Sequence, residues 1–178
     1  MKIIRNMRLL DSFKFAIRGI TYCINNERNM RIHTVAAMYV LIFSLFFQLS
    51  PIKYAVLFLT IALVISSEMM NTAIEELTDM SSENYNAMAR ISKDVAAGAV
   101  FVCALFSIFV GIAIFWQPQA FVNIYLFFIG KPILLIPLIL FLLLSFFYIK
   151  LGPIGIKELF YRFSKKKAII ILNFYWED

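Results

Sequence analysis

The sequence predicts an all-α membrane protein, and three observations support this prediction. Of the 178 residues, 62% are hydrophobic and only 16% are charged, with a mean hydropathy of +0.82. A soluble domain is usually about half apolar and about a quarter charged. Long apolar stretches recur along the chain, several of them long enough to cross a bilayer as helices. The basic residues gather in an N-terminal arm and after the last apolar stretch, which are positions that flank membrane spans.

The first half of the chain is predicted to form a surface helix followed by three spans. Residues 8–24 are predicted to form an amphipathic helix at the membrane surface, because apolar side chains recur there at helical spacing. The alternative is a cap packed directly on the spans. A polar break follows at residues 25–29, and the three spans are predicted at about residues 30–49, 54–77 and 93–116, with a polar loop at 78–92.

The composition changes after residue 116. A short apolar and aromatic segment at 120–129 is expected to lie at the membrane interface. A fourth span is predicted at about 131–149, where Pro132 and Pro137 are compatible with a membrane helix. The tail from Gly152-Pro153 onward is basic and aromatic, and it is predicted to lie among lipid headgroups. We therefore divide the chain into a membrane domain, residues 1–116, and a C-terminal extension, residues 117–178.

The formal charge of +6 is explained by the flanking positions of Lys and Arg, so nucleic acid is not an expected partner. The excess of these residues in the N-terminal arm and in the tail predicts that both termini are cytoplasmic. Cys23 and Cys103 give neither a disulfide framework nor metal-ligand spacing, and each is expected to be a packing residue.

A polar face at the end of the second predicted span carries the candidate chemistry. At about 100° per residue, its members fall within an arc of roughly 100°. Carboxylates near a bilayer are costly and usually mark a functional site, although polar side chains also hold membrane helices together. The members of this polar face are Glu68, Asn71, Thr72, Glu75 and Asp79.

The predicted topology brings this polar face to the cytoplasmic side together with Glu27 and Lys93-Asp94. Paired carboxylates from two helices can bind Mg²⁺ along with nucleotide phosphates. A carboxylate deeper in the membrane can remove a proton from a lipid hydroxyl. Lys93 can neutralise phosphate charge at the start of a helix whose dipole also favours anions. These are the components that phosphoryl transfer requires.

Four segments together resemble the prokaryotic diacylglycerol kinase family of small integral membrane lipid kinases, which includes the undecaprenol kinases of Gram-positive bacteria. The resemblance covers roughly residues 8–116. It implies a surface helix plus three transmembrane helices, assembled as a homotrimer with composite active sites at the protomer interfaces. It also implies ATP as co-substrate, Mg²⁺ as cofactor, and a multi-pass location in the bacterial inner membrane with the active site facing the cytoplasm. The segments are Asn26-Glu27, Glu68-x-x-Asn71-Thr72-Ala73-Ile74-Glu75, Asp79, and Lys93-Asp94-x-Ala96-Ala97-Gly98-Ala99-Val100.

The resemblance also implies roles for individual residues. Glu68 matches the catalytic base, with Asn71 beside it, and Glu27 and Glu75 match the metal-binding glutamates. The lipid substrate is expected at Glu68, Arg31 and Ala97. The nucleotide is expected at Arg8, Glu27, Glu75, Asp79, Tyr85, Asn86, Lys93 and Asp94, with a looser local match at Arg8 and at Tyr85-Asn86.

Two details of the resemblance favour undecaprenol over diacylglycerol as the lipid. His33 stands where the Gram-negative, diacylglycerol-specific members tend to have Glu, and residues 93–100 look more like Gram-positive members. His33 itself is expected to be an interfacial side chain rather than a ligand. No glycine-rich Walker loop occurs, which fits this family. No lipid phosphatase motif occurs either, so no phosphatase activity is expected. The alternatives from other classes are a carboxylate-lined ion or proton pathway and a non-catalytic scaffold.

Overall fold

The computed structural model describes residues 9–81 and 87–175, including the side chains of residues 9–80 and 87–162. The predicted fold class is confirmed, because every regular element in these ranges is a helix. A short 3-10 turn, Pro132–Leu134, leads into the last helix. The helices are α1 (Leu9–Asn26), α2 (Arg28–Ser44), α3 (Pro51–Ser81), α4 (Ala87–Phe115), α5 (Pro118–Gly130) and α6 (Leu135–Tyr175).

The apolar face of α1 is left uncovered by the rest of the described chain. Leu9 is 80% exposed, Leu10 79% and Phe13 65%. Only the end of α1 is buried, at Cys23, where the helix meets α2, α3 and α6. This arrangement fits a helix that lies on a membrane surface, and it argues against the alternative of a cap packed on the spans.

Three of the four predicted spans correspond to long apolar helices in the structure. Three described helices are long and apolar enough to cross a membrane, at Pro51–Met80, Ala87–Phe115 and Pro132–Arg162. The first predicted span, 30–49, corresponds to α2, which has 17 residues and ends at Ser44. Phe46 and Phe47 then form tight turns, with backbone N–H groups bonded to carbonyls three residues back. Residues 45–50 reverse the chain, and Pro51 then starts α3 at a position that proline favours.

The predicted extent of the polar loop, residues 78–92, is wrong. α3 continues to Ser81 and α4 already begins at Ala87. Polar composition was the reason for predicting a loop, but polarity marks contact with water rather than the end of a helix. The sequence from Tyr54 to Ser92 holds neither Gly nor Pro, so no helix-breaking residue marks where α3 ends or α4 begins.

The extension consists of α5 and α6, and its breaks fall at the expected residues. Pro132 opens the 3-10 turn, and Pro137 is the third residue of α6, where a backbone N–H has no partner within the helix. α6 is kinked at Gly152, whose φ is 67° and ψ 172°, and the helix resumes at Pro153. The tail therefore begins where the sequence predicted. Its location among lipid headgroups stays a prediction.

Two sets of contacts organise the helices. α3 and α4 pack along each other, while α6 packs against α2 and α1. The hydroxyl of Tyr39 on α2 donates to Ser145 Oγ on α6 at 3.1 Å, and its ring lies 4.9 Å from that of Phe141. Phe47 packs edge-on against the rings of Phe115 and Phe121, at 4.9 and 5.5 Å. The extension thus packs against the membrane domain along α2 and the turn that follows it.

Candidate active site

Three members of the predicted polar face of α3 are buried where α3 meets the start of α2. Glu68 is 2% exposed, Asn71 9% and Thr72 3%. Because α2 and α3 run antiparallel through a short turn, the beginning of α2 and the second half of α3 lie at the same level. Buried polar groups in such a place need partners, and their contacts define the candidate site.

His33 on α2 is the partner of Glu68. Its Nε2 lies 3.1 Å from Glu68 Oε1, and its side chain is 25% exposed. The sequence does not predict this contact, and the expected interfacial position of His33 stays a prediction. Two antiparallel helices bring the start of one beside the end of the other, so the order of the two helices could have suggested that His33 lies near Glu68. The periodicity of a single helix does not show such a contact.

Glu27 and Glu75 are brought together by the corner between α1 and α2. Burial raises the pKa of Glu27, and the nearby charge of Glu75 raises it further, while Arg31 acts in the opposite direction. Glu27 and Glu75 also lie close enough to Glu68 to interact with it electrostatically. Asn71 Nδ2 donates to Glu75 Oε1 at 2.8 Å and so fixes the orientation of that carboxylate. Three carboxylates from two segments of the chain therefore share one site.

The donor atoms at this site suit Mg²⁺. The other end of the Asn71 amide, Oδ1, is buried and accepts no hydrogen bond from the described residues. Two carboxylates and a free amide oxygen form an oxygen-only set, which hard divalent cations prefer. Within residues 9–81 and 87–175, no group of three or more His, Cys, Asp or Glu is arranged to hold a metal. Two carboxylates and one amide oxygen would leave coordination positions of Mg²⁺ open for phosphate oxygens or water.

Lys93 and Asp79 form an ion pair that joins α4 to α3 beside the site. Both side chains face water, with Lys93 36% and Asp79 67% exposed. Exposed ion pairs contribute little to stability, so this pair can open at low cost. Asp94 and Ala97 are exposed on the same helix.

Of the other predicted nucleotide contacts, Arg8, Tyr85 and Asn86 lie outside the described residues.

Arg31 has partners that the sequence did not predict. It is 7% exposed, and its guanidinium donates to the carbonyl oxygens of Ile149, Ile24 and Asn25 at 3.1, 2.9 and 2.9 Å. The predicted contact of Arg31 with lipid stays a prediction. In the structure its hydrogen bonds run to the chain itself.

Comparison with known proteins places these features in a family. The sequence model of the prokaryotic diacylglycerol kinase family matches residues 14–115. The chain belongs to this family. The match includes every described residue of the candidate site and ends before α5, so the family resemblance does not extend to the C-terminal extension.

Three relatives show how the family likeness is distributed. The chain is 41% identical over 108 residues to the undecaprenol kinase of Bacillus subtilis, covering 61% of this chain and 88% of that protein. It is 40% identical over 104 residues to the diacylglycerol kinase of Synechocystis, but the match spans only 59% of that protein and 58% of this chain. The diacylglycerol kinase of Escherichia coli K12 is 21% identical over 110 residues, covering 62% of this chain and 90% of that protein.

Tyr22 and Glu76 are further site neighbours that sequence reasoning missed. The Tyr22 hydroxyl donates to Glu76 Oε1 at 2.5 Å, and this bond raises the pKa of Tyr22. Glu76 also raises the pKa of Glu27. Glu76 follows Glu75 directly and so points about 100° away from the predicted polar face. No local pattern pairs it with a tyrosine 54 residues earlier.

An apolar cavity of about 150 Å³ opens between α2, α3 and α4 next to His33. It extends along the helices away from the carboxylates, towards the turn that joins α2 to α3. Apart from His33, Thr60 and Ser107, its walls are apolar, so the space suits part of a hydrocarbon chain. Residues from each of the three helices line it, among them Ala37, Val40, Ile61, Val64, Val110 and Phe115.

Proposed function

We propose that the protein is a membrane lipid kinase that transfers the γ-phosphate of ATP to the hydroxyl of undecaprenol. The observation that carries this proposal is the buried Glu68, set between His33 and the Glu27–Glu75 pair at one end of an apolar cavity. Family membership supports the reaction class, and the 41% identity to an undecaprenol kinase supports the acceptor.

Glu68 acts as the general base in this proposal. Its burial keeps bulk water from its carboxylate, and the contact with His33 Nε2 holds Oε1 in one orientation. A lipid hydroxyl beside Glu68 gives its proton to the carboxylate while its oxygen attacks the γ-phosphorus of ATP. The bond to the β-phosphate oxygen breaks, and ADP carries away that electron pair.

Glu27, Glu75 and Asn71 are proposed to hold Mg²⁺ on the nucleotide. When bound, the cation would neutralise phosphate charge and polarise the group being transferred. Asn71 contributes by fixing the Glu75 carboxylate through its amide N–H, which leaves Oδ1 available as a further donor. The mutual repulsion of Glu27 and Glu75 favours cation binding at this place.

Lys93 is proposed to bind the phosphates of ATP. Its ammonium sits near the site on the first turns of α4 and forms an ion pair with the exposed Asp79. Phosphate oxygens carry more charge than one carboxylate, so ATP competes well for Lys93 and releases Asp79. The predicted contacts of ATP with Arg8, Tyr85, Asn86 and Asp94 complete the proposed nucleotide site.

The lipid is proposed to place its chain in the cavity between α2, α3 and α4, with its hydroxyl at Glu68. His33 lines this cavity and also contacts Glu68, so it links the site for the lipid chain to the proposed general base. Ala97 on α4 is exposed, and its contact with the lipid stays a prediction. We further propose that the protein forms a homotrimer in the inner membrane, with the site facing the cytoplasm. The basic segments that flank the spans support this orientation.

The test measures lipid phosphorylation by purified protein in Mg²⁺-ATP with undecaprenol or diacylglycerol as acceptor. We expect faster phosphorylation of undecaprenol, and equal rates would overturn the preference. Glu68→Gln should lower the rate at least about 100-fold, as expected on loss of a general base. The matched control is Glu158→Gln, an exposed glutamate on α6, which should keep the parental rate. Full turnover by Glu68→Gln would remove the base assignment.

Diacylglycerol is the second candidate acceptor, because a relative named diacylglycerol kinase is 40% identical to this chain. Both lipids present a hydroxyl on an apolar body, so the same residues can serve either. Product analysis separates the two, since phosphatidic acid forms only from diacylglycerol. Ion or proton flux in liposomes without ATP, combined with no phosphorylated lipid, would instead favour the carboxylate pathway.

A further inference from the structure

One of the contacts between the C-terminal extension and the membrane domain is made by a buried cation, Arg31. Its Nε donates to the carbonyl of Ile149 on α6, and its Nη1 donates to the carbonyls of Ile24 and Asn25 in the last turn of α1. A helix end leaves carbonyls without partners within the helix, and both of these ends are such places. Arg31 therefore satisfies the ends of two helices, one from each part of the chain.

The close approach of α6 to Arg31 depends on Gly152. A Cβ at this position would lie 3.0 Å from Arg31 Nη1, 3.3 Å from its Cζ and 3.5 Å from the carbonyl oxygen of Asn25. The backbone there has φ of 67°, which other residues adopt only with strain. The kink leaves the Ile149 carbonyl at the end of the first half of α6, within reach of the guanidinium.

The same corner of the chain carries Glu27. The backbone N–H of Glu27 donates to the Cys23 carbonyl at 2.8 Å, and the N–H of Arg31 donates to the Glu27 carbonyl at 3.4 Å. Glu27 thus lies between the helix end that Arg31 caps and Arg31 itself. The guanidinium charge also acts on the Glu27 carboxylate. Arg31 is therefore bonded to the same stretch of backbone that carries the Glu27 carboxylate towards Glu75.

We propose that α6 is a positioning element for the metal carboxylates, acting through Arg31 on the α1–α2 corner that carries Glu27. Arg31 is a positioning residue here, because it acts on the site through Glu27. The role of Glu27 in this inference depends on the proposed lipid kinase function. The link from α6 to the corner is independent of that function, and the two can be tested separately.

The first measurement is the accessibility of Cys23, which is buried in the last turns of α1 directly before two of the carbonyls bound by Arg31. Full-length protein carrying Cys103→Ala is reconstituted in vesicles, and the alkylation rate of Cys23 is recorded. Gly152→Ala should raise this rate about 5- to 30-fold, the effect of a strain of one or two kcal/mol at a positive φ. Gly130→Ala is the matched control, because its Cβ would meet nothing within 4 Å, and it should leave the rate unchanged.

The second measurement is binding of Mn²⁺ with a non-hydrolysable ATP analogue, followed by the electron paramagnetic resonance signal of free Mn²⁺. Gly152→Ala should weaken Mn²⁺ binding at least about threefold relative to Gly130→Ala, and the KM for Mg²⁺-ATP should rise more than kcat falls. Arg31→Lys keeps the charge but cannot bridge three carbonyls, so it should reproduce both effects if Gly152→Ala fails to fold.

Unchanged Cys23 labelling in both variants would overturn the link between α6 and the corner. Increased labelling of Cys23 with unchanged Mn²⁺ binding would show that Arg31 only stabilises the packing of the helices, and would overturn its positioning role. If the parent protein binds Mn²⁺-nucleotide but phosphorylates no lipid, the proposed function fails while the labelling result still decides the link.

Discussion

The contact between His33 and Glu68 predicts how much activity depends on a residue that no motif contains. His33→Leu removes the imidazole nitrogen that lies 3.1 Å from Oε1 of a carboxylate that is 2% exposed, and it puts an apolar side chain of similar size in the cavity wall. A polar contact to a charged group, at the strength of a hydrogen bond to a charge, contributes about 1.5–3 kcal/mol. If that energy acts on the transition state, kcat/KM should fall about tenfold to 150-fold.

The assay is steady-state phosphorylation of undecaprenol, with lipid and Mg²⁺-ATP varied separately. His33→Leu should lower kcat and leave the KM for Mg²⁺-ATP within about twofold of the parent, because His33 faces the lipid cavity. His33→Gln keeps an N–H donor and should recover part of the loss. In a Glu68→Gln background, His33→Leu should cause little further loss, because both changes act on one group. Parental kcat/KM in His33→Leu would refute this reasoning.

The remaining predictions concern the metal, the nucleotide and pH. Glu27→Gln should raise the Mg²⁺ concentration for half-maximal activity about tenfold or more, and an unchanged metal titration would count against its role. Burial and Glu75 raise the pKa of Glu27, so the folded protein holds this proton more tightly than the unfolded chain does. In the absence of divalent cation, thermal stability should therefore fall as pH rises from the ordinary carboxyl range through the raised pKa, and Glu27→Gln should lack this slope. Lys93→Met should raise the KM for ATP about tenfold, whereas Lys53→Met, at the other end of α3, should not, and equal KM values would exclude the proposed phosphate contact. Chelation with EDTA should abolish phosphorylation, and added Mg²⁺ should restore it; activity that persists in EDTA would exclude the metal.

The sequence predicts those parts of the fold and site that follow from local periodicity. The polar face of α3 is an example, because Glu68, Asn71 and Thr72 share one side of any helix through them, and all three are buried as a group. The break at Gly152-Pro153 is another, since both residue types disfavour a straight helix. In both cases the decisive interactions lie within a few residues of one another.

Contacts between distant segments could not be predicted in the same way. His33 and Glu68 meet only because the turn after α2 makes α2 and α3 antiparallel. Arg31 reaches Ile149 across 118 residues, and the extension that supplies this carbonyl lies outside the family match. The lengths of α2 and of the 78–92 segment differ from the sequence prediction, because hydropathy reports the environment of a residue whereas helix ends depend on backbone hydrogen bonds.

The arrangement of charge at the site separates a catalytic interpretation from one in which polar residues merely hold helices together. Polar residues that serve only as interhelical contacts should pair donors with acceptors and leave few groups unpaired. Here three carboxylates, Glu27, Glu68 and Glu75, lie within electrostatic reach of one another, and the buried Oδ1 of Asn71 accepts no hydrogen bond from the described residues. Gathering like charges and an unpaired oxygen costs stability unless a cation joins them. The site therefore lowers the stability of the fold when no cation is bound, which is expected of residues that serve a reaction rather than helix packing.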